Sequence, residues 1–296
     1  MDDLLLFALA GFCASFVDGA LGMGFGPTSS SILLSTGLPP SVVSTAVNLA
    51  KVATGVAAGI SHWRFKNIDK SLVLRLAIPG CVGALLGVTV LSNVSGKTLK
   101  PILAALLFVV GVRILFRFAR KISSTNGDDD TQAQGDRAPT KVRGVEIAAV
   151  TGGMTNGLIG AWGPVVTPFL LHRGVAPRFA IGSVNTAEVF VAALSAGTLV
   201  SAFGSGGLDF KVVGAMLVGG VIAAPVAAWV IRYVPARPLG VMTAALLLLT
   251  NTRELLSWAG IKGTSSWMAY AAVVAVIALA SLAPRAFARP APDQAT

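Results

Sequence analysis

At 296 residues, with 54% apolar and only 12% charged side chains and a mean hydropathy of +0.76, the chain lacks the polar surface that a soluble domain of its length needs. Composition therefore excludes a soluble globular domain and indicates an all-α polytopic membrane protein in contact with lipids. The formal net charge of +10 comes from 23 basic against 13 acidic residues, and the basic ones gather near the ends of apolar runs, the pattern of topogenic and lipid-facing charge rather than of a nucleic-acid surface.

The opening Met1, Asp2 and Asp3 carry no basic n-region, and the apolar stretch after them lacks a small-residue cleavage signal, so a retained first element is expected. Segment 4–36 is too long for one comfortable crossing of the roughly 20 residues a bilayer requires, and it is cut in the middle by Gly22, Gly24, Gly26 and Pro27. A helix running in, a non-helical tip and a short helix running back out accommodate that length. Full crossings are predicted near 41–60, 71–91 and 98–119. Residues 122–141 have almost no apolar content and read as a disordered linker. The triplet Asp128, Asp129 and Asp130 lacks the alternating oxygen ligands and closing glutamate of a calcium loop, so no metal site is expected. Segment 145–173 repeats the hairpin pattern, broken at Gly157, Gly160, Gly163 and Pro164, and further crossings are predicted near 177–201, 212–231, 238–256 and 266–283. Cys13 and Cys81 lie within apolar runs and read as buried free thiols.

The two hairpins are related. Pro27, Pro40 and Asn48 recur as Pro164, Pro177 and Asn185, each 137 residues further on. After a three-residue adjustment Asp69, Gly80 and Arg113 recur as Asp209, Gly220 and Arg253. One hairpin plus three crossings per half is an arrangement that inverts the second half against the first. Placing Arg64, Lys66 and Lys70, the linker, Arg173 and Arg178, Arg232 and Arg237, and Arg285 and Arg289 in the cytoplasm satisfies the positive-inside bias, with Lys97, Lys100, Lys211 and Lys262 as the outward minority. The expected organisation is a first repeat at 1–121, a polar linker at 122–143, a second repeat at 144–260, an additional helix at 261–285 and a polar tail at 286–296.

Non-helical backbone is costly in lipid unless protein or a water-filled cavity surrounds it, and two repeated breaks suggest a substrate site between the halves of a transporter. The candidates at the first break are Gly22, Met23, Gly24, Phe25, Gly26 and Pro27; at the second they are Thr155, Asn156, Gly160, Trp162 and Gly163. Glycines there either leave peptide N–H groups and helix ends facing an anion or serve tight helix packing. The run lacks the preceding strand of a dinucleotide loop, and no cofactor is expected. Asn48 and Asn185 either bind substrate or cap the broken helices. Lys51 occupies the repeat position of Glu188, so the two form either a static pair or a device in which Lys51 attracts the anion while Glu188 or Asp18 exchanges a proton. Asp18 has a second reading, as the cap of a short helix. Arg113 and Arg253 either add positive potential to a permeation route or snorkel to headgroups. His62 and Trp63 read as interfacial anchors. Trp162 either shapes the site or packs in the core. A channel would need a continuous polar route, and no constellation for an intramembrane enzyme is present.

The run Val17 to Pro27, followed by Gly37, Leu38, Pro39 and Pro40 and by Ser44 to Asn48, resembles the first signature of the TauE/SafE family, the sulfite exporters or toluene-sulfonate uptake permeases. Gly152 to Gly160, with Gly163, Pro164 and Gly182 to Asn185, resembles its second. The resemblance spans nearly the whole chain. It implies a secondary transporter of the prokaryotic cytoplasmic membrane for sulfite, thiosulfate, taurine-related or aromatic sulfonates and similar small anions. Its functional regions fall here on residues 22–27 with Asn48 and on 156–164 with Asn185. Ile159 and Ala161 depart from the glycine alternation of the first break. Alternating access with proton coupling stands against a passive anion uniporter or channel for related organic anions, and direction and oligomeric state are left open.

Overall fold

The computed structural model describes residues 2–21, 23–119, 142–204, 210–230 and 236–282, and the predicted linker, Gly22 and the polar tail lie outside them. Among the described residues the regular structure is helical: α1 (Asp2–Leu21), α2 (Phe25–Ser35), α3 (Pro40–Arg64), α4 (Lys70–Asn93), α5 (Gly96–Ala119), α6 (Val145–Ile159), α7 (Gly163–His172), α8 (Pro177–Phe203), α9 (Phe210–Val230), α10 (Ala236–Trp258) and α11 (Thr264–Leu282). Six helices, α3, α4, α5, α8, α10 and α11, contain stretches long and apolar enough to cross a membrane; the described apolar stretch of α9, Phe210–Ala223, is shorter.

Both over-long segments break where their glycines lie. α1 is followed by the 11-residue α2, and the 15-residue α6 by the 10-residue α7. Prolines open the returning helices, Pro27 and Pro164 lying in first turns whose backbone N–H groups have no intrahelical acceptor in any case. The two breaks differ in geometry. Gly160 ends α6 in the left-handed region, at φ 68°, where a side chain would be strained, whereas Gly24 precedes α2 in extended backbone.

Small residues decide which helices touch. Along the α4–α6 contact a Cβ on Gly153 would overlap the Gly80 carbonyl, one on Gly83 the Val150 carbonyl and one on Gly87 the Met154 carbonyl. Gly83 meets Val150, Gly87 meets Met154 and Val88 meets Gly157, numbers that rise together, so α4 and α6 run parallel. α1 meets α9 in the same manner, Gly11 against the Met216 carbonyl and Gly219 against that of Ala8. Across the middle, Lys51 faces Glu188, Gly59 faces Thr186 and His62 faces Asn185, so α3 and α8 run antiparallel. α5 packs on α10, and α11 lies against α10 and α5 on the outside.

Two apolar cores result. One gathers residues of α1, α2, α3, α5, α9 and α10, with the C-terminal parts of α4, α6 and α8, around Leu33, Leu103, Leu107, Met216 and Leu247. The other joins α4, α6, α7 and α8 around Trp162, Leu76, Val166 and Leu170. The two tips lie where these cores adjoin.

Candidate functional site

The end of α6 is the centre of a buried polar cluster. The last carbonyls of a helix have no intrahelical donor and carry the negative end of its dipole. Here side chains from α2 and α3 take them up. Ser44 Oγ donates to Gly157 O at 2.8 Å, Ser30 Oγ to Ile159 O at 2.7 Å, and Lys51 Nζ to Gly160 O at 2.6 Å. Asn48 Nδ2 donates to Asn156 O at 3.2 Å and to Ser44 O at 2.9 Å, and its Oδ1 accepts from Asn156 Nδ2 at 2.7 Å. Asn156 Nδ2 also donates to Ser195 Oγ at 3.2 Å, so the carboxamide ties α6 to both α3 and α8.

Lys51 is only 6% exposed, and its ammonium has three acceptors: Gly160 O, Asn156 Oδ1 at 3.4 Å and the Glu188 carboxylate, to which it is directly ion-paired. A buried ammonium is tolerable only where its donors are satisfied and an opposite charge is near, and the α6 end adds a favourable dipole. Glu188 keeps 18% of its side chain exposed, so the pair lies at the margin of the packed interior.

Asp18 performs the opposite service at α2. Its Oδ1 accepts from Gly24 N at 3.0 Å and Phe25 N at 3.3 Å, bringing a carboxylate to the positive end of the short helix. The repeat position of Asp18 is Thr155, whose Oγ1 donates to Ala161 O at 2.8 Å and to Gly152 O at 2.9 Å. α7 accordingly begins with no side-chain cap. Two identical hairpin topologies thus end in different electrostatics: one N-terminus is occupied by the chain's own anion and the other is not.

The tips touch. A Cβ on Gly26 would overlap Gly160 O, and one on Gly163 would come 3.3 Å from Met23 Cβ. Met23 and Phe25 are buried, and Met23 Sδ accepts from Arg117 Nη1 at 3.0 Å. Pro27 is buried beside them in the first turn of α2. Trp162 is fully buried in the second core, with Nε1 donating to Val184 O at 3.2 Å and its ring against Gly80 and Gly152, so its packing reading is the one these contacts support.

The structure therefore brings together Asp18, Met23, Gly24, Phe25, Gly26 and Pro27 at one tip with Asn48, Lys51, Thr155, Asn156, Gly160, Gly163 and Glu188. Asn185 is not joined to the carboxamide cluster: its Nδ2 faces His62 Nε2 at 3.5 Å, toward the end of α3, although Asn48 and Asn185 are equivalent in sequence. Sequence reasoning misses Ser30, Ser195 and Arg117, and reaches Ser44 only as part of the family signature. The run Thr28, Ser29, Ser30 and Ser31 inside an apolar segment was the available signal for the first, since four hydroxyls in lipid require partners. Nothing in the sequence distinguishes Ser195 from the other hydroxyls of α8.

A cavity of about 850 Å³ adjoins the tips, bounded by α5, α6 and α7 and reaching Met23 and Pro164. A second, of about 910 Å³, is an almost wholly apolar groove along α4 facing outward from the bundle.

The family model for the sulfite exporter TauE/SafE matches residues 7–253. A probable membrane transporter protein, YtnM, of Bacillus subtilis (strain 168), is 38% identical over 261 residues, covering 87% of this chain and 84% of the relative. No solved structure matches.

Proposed function

The chain belongs to the sulfite exporter TauE/SafE family, and from that premise we propose that this membrane transporter is a secondary carrier for a small sulfur-containing oxyanion or organic sulfonate. It works by proton-coupled alternating access in the cytoplasmic (inner) membrane of a prokaryote. The halves 1–121 and 144–260, joined by 122–143, are read as inverted repeats, with 261–285 and 286–296 outside the repeat. Antiparallel α3 and α8, together with the reciprocal packing of α4 on α6 and α1 on α9, support that reading.

The observation that carries the proposal is Lys51, a buried cation bonded to the second of two contacting helix breaks and ion-paired with Glu188. With Glu188 ionised the Lys51–Glu188 pair is neutral and the Asp18 carboxylate is committed to the α2 amides, so an incoming anion would add a further negative charge to a poorly hydrated interior. Protonating Glu188 removes the direct ion-pair partner of Lys51, while Asp18 stays engaged by the α2 N-terminus, and so makes anion entry favourable; one proton and one anionic charge move together. The oxyanion is assigned to the start of α7, near Gly163, because that helix end has no side-chain cap whereas the start of α2 already carries the Asp18 carboxylate. Inversion of the halves then exposes this fixed site to either side in turn.

The test is transport in proteoliposomes with a panel of sulfite, thiosulfate, taurine and organic sulfonates, varying pH gradient and membrane potential separately. The expected result is anion movement accompanied by proton flux that a folded Glu188→Gln variant abolishes. Normal proton flux in that variant removes Glu188 from the mechanism, and immobility of every anion in the panel overturns the substrate class.

A further inference from the structure

The cavity that meets the tips carries a feature the transport reading does not use. Its wall bears three guanidinium groups, Arg113 and Arg117 from α5 and Arg173 at the end of α7, and no carboxylate among the described lining residues. The acid nearest in sequence to its α6 wall, Glu146, is engaged elsewhere, accepting from Arg75 Nη2 at 2.6 Å and Nε at 2.9 Å. Arg117 is the telling member. It is partly buried, yet the hydrogen bond it makes is to the Met23 thioether, one of the weakest acceptors a protein has, and its other close partner is the Phe118 ring at 5.7 Å. Arg173 lies over the Phe169 ring at 5.2 Å. A guanidinium offers five donors in a planar fork suited to an oxyanion with two or three oxygens, and these are largely unspent.

We propose that this cavity is a second anion site, a receiving vestibule between one membrane face and the tips, that takes an anion-headed molecule with an apolar body. The head is held by Arg117 and Arg113, and the body lies along Ile114, Val165 and Phe169. The volume supports the body. About 850 Å³ falls within the roughly 300–1,000 Å³ typical of sites for organic ligands, whereas a bare oxyanion would leave most of it to water. Arg117 holds Met23 at the tip, so neutralising the guanidinium with a ligand head would loosen the thioether contact at the boundary between vestibule and transport site. As a step in transport this rests on the carrier reading above; as a binding site it does not.

The experiment measures equilibrium binding of benzenesulfonate and methanesulfonate, which share a head and differ in the apolar body, to the full chain in nanodiscs of neutral phosphatidylcholine. The expected result is tighter binding of benzenesulfonate than of methanesulfonate. Arg117→Gln should weaken benzenesulfonate roughly tenfold to a hundredfold, the range for losing charge-assisted hydrogen bonds, Arg117→Lys should fall between, and Lys262→Gln, an equal charge change at a distant exposed position, should leave it unchanged. Thermal unfolding of each variant confirms the fold. Unaltered affinity in folded Arg113→Gln and Arg117→Gln overturns the vestibule without touching the transport reading. Arginine-dependent binding in a protein that moves no anion overturns the carrier and leaves the vestibule. If neutral discs show no benzenesulfonate binding while native mass spectrometry finds phosphatidylglycerol retained by the natural chain and lost from Arg117→Gln, the cavity is a lipid-headgroup site and the proposal falls.

Discussion

At the scale of single residues, sequence equivalence and structural equivalence part company. Asn48 and Asn185 occupy the same repeat position, but Asn48 is wholly buried with each carboxamide atom bonded, while Asn185 is partly exposed beside His62. Asn48→Ala should therefore lower stability by about 1–3 kcal/mol, because Asn156 is left with unsatisfied groups in a dry site, whereas Asn185→Ala should change it much less; thermal unfolding in a fixed detergent compares the two. Equal losses would show that the His62 contact matters as much as the α6 cap. Lys51 and Glu188 separate stability from coupling in the same way. Removing one partner of a buried pair commonly costs about 3–5 kcal/mol, and removing both restores most of it, so Lys51→Met with Glu188→Met should recover folding over Lys51→Met alone without recovering proton-linked transport.

At the scale of elements, the hairpins depend on close backbone approach. Gly26 has no room for a Cβ against Gly160 O, and Gly160 is held in a left-handed conformation that ends α6 and presents that carbonyl to Lys51. Gly26→Ala should cost about 1–3 kcal/mol through overpacking and impair transport at a point with no charge. Gly197→Ala is the contrast: it lies inside α8 with open space around it, and alanine there should be neutral or stabilise by up to ~1 kcal/mol through helix propensity. Chemical-denaturant or thermal unfolding of both variants decides it, and equal behaviour would mean that the tips yield more readily than their packing implies.

At the scale of the whole molecule, orientation is the quantity to test. α3 and α8 run antiparallel, so their C-terminal ends belong on opposite faces if both cross fully. Cysteines replacing Lys66, just after α3, and Ala202, near the end of α8, should react with an impermeant reagent from opposite sides, Lys66 from the cytoplasm. Reaction from the same side would eliminate the inverted arrangement. α11 packs on the outside of the bundle through Val273, Ile277 and Ala280, and among the described residues none of its apolar span is fully buried.

The sequence by itself determined the class of protein, the helix breaks and the pairing candidates. Those follow from local chemistry: apolar runs must be helical in lipid, glycine with proline interrupts them, and a charge amid apolar residues demands a partner. The duplicated prolines also mark the two places where a long apolar segment breaks into a helix and a short returning helix. What only the tertiary structure decided is which broken-helix end each polar side chain serves. Asp18 closes the α2 N-terminus, while Lys51, Asn48, Ser44 and Ser30 close the α6 C-terminus. Asn185 is left aside, and Trp162 is absorbed into the core. The reason is that a helix end can be satisfied by any suitable donor or acceptor packing brings within about 3 Å. That choice depends on contacts between segments more than 100 residues apart, as between Ser44 and Gly157, whose spacing leaves no trace in either segment alone.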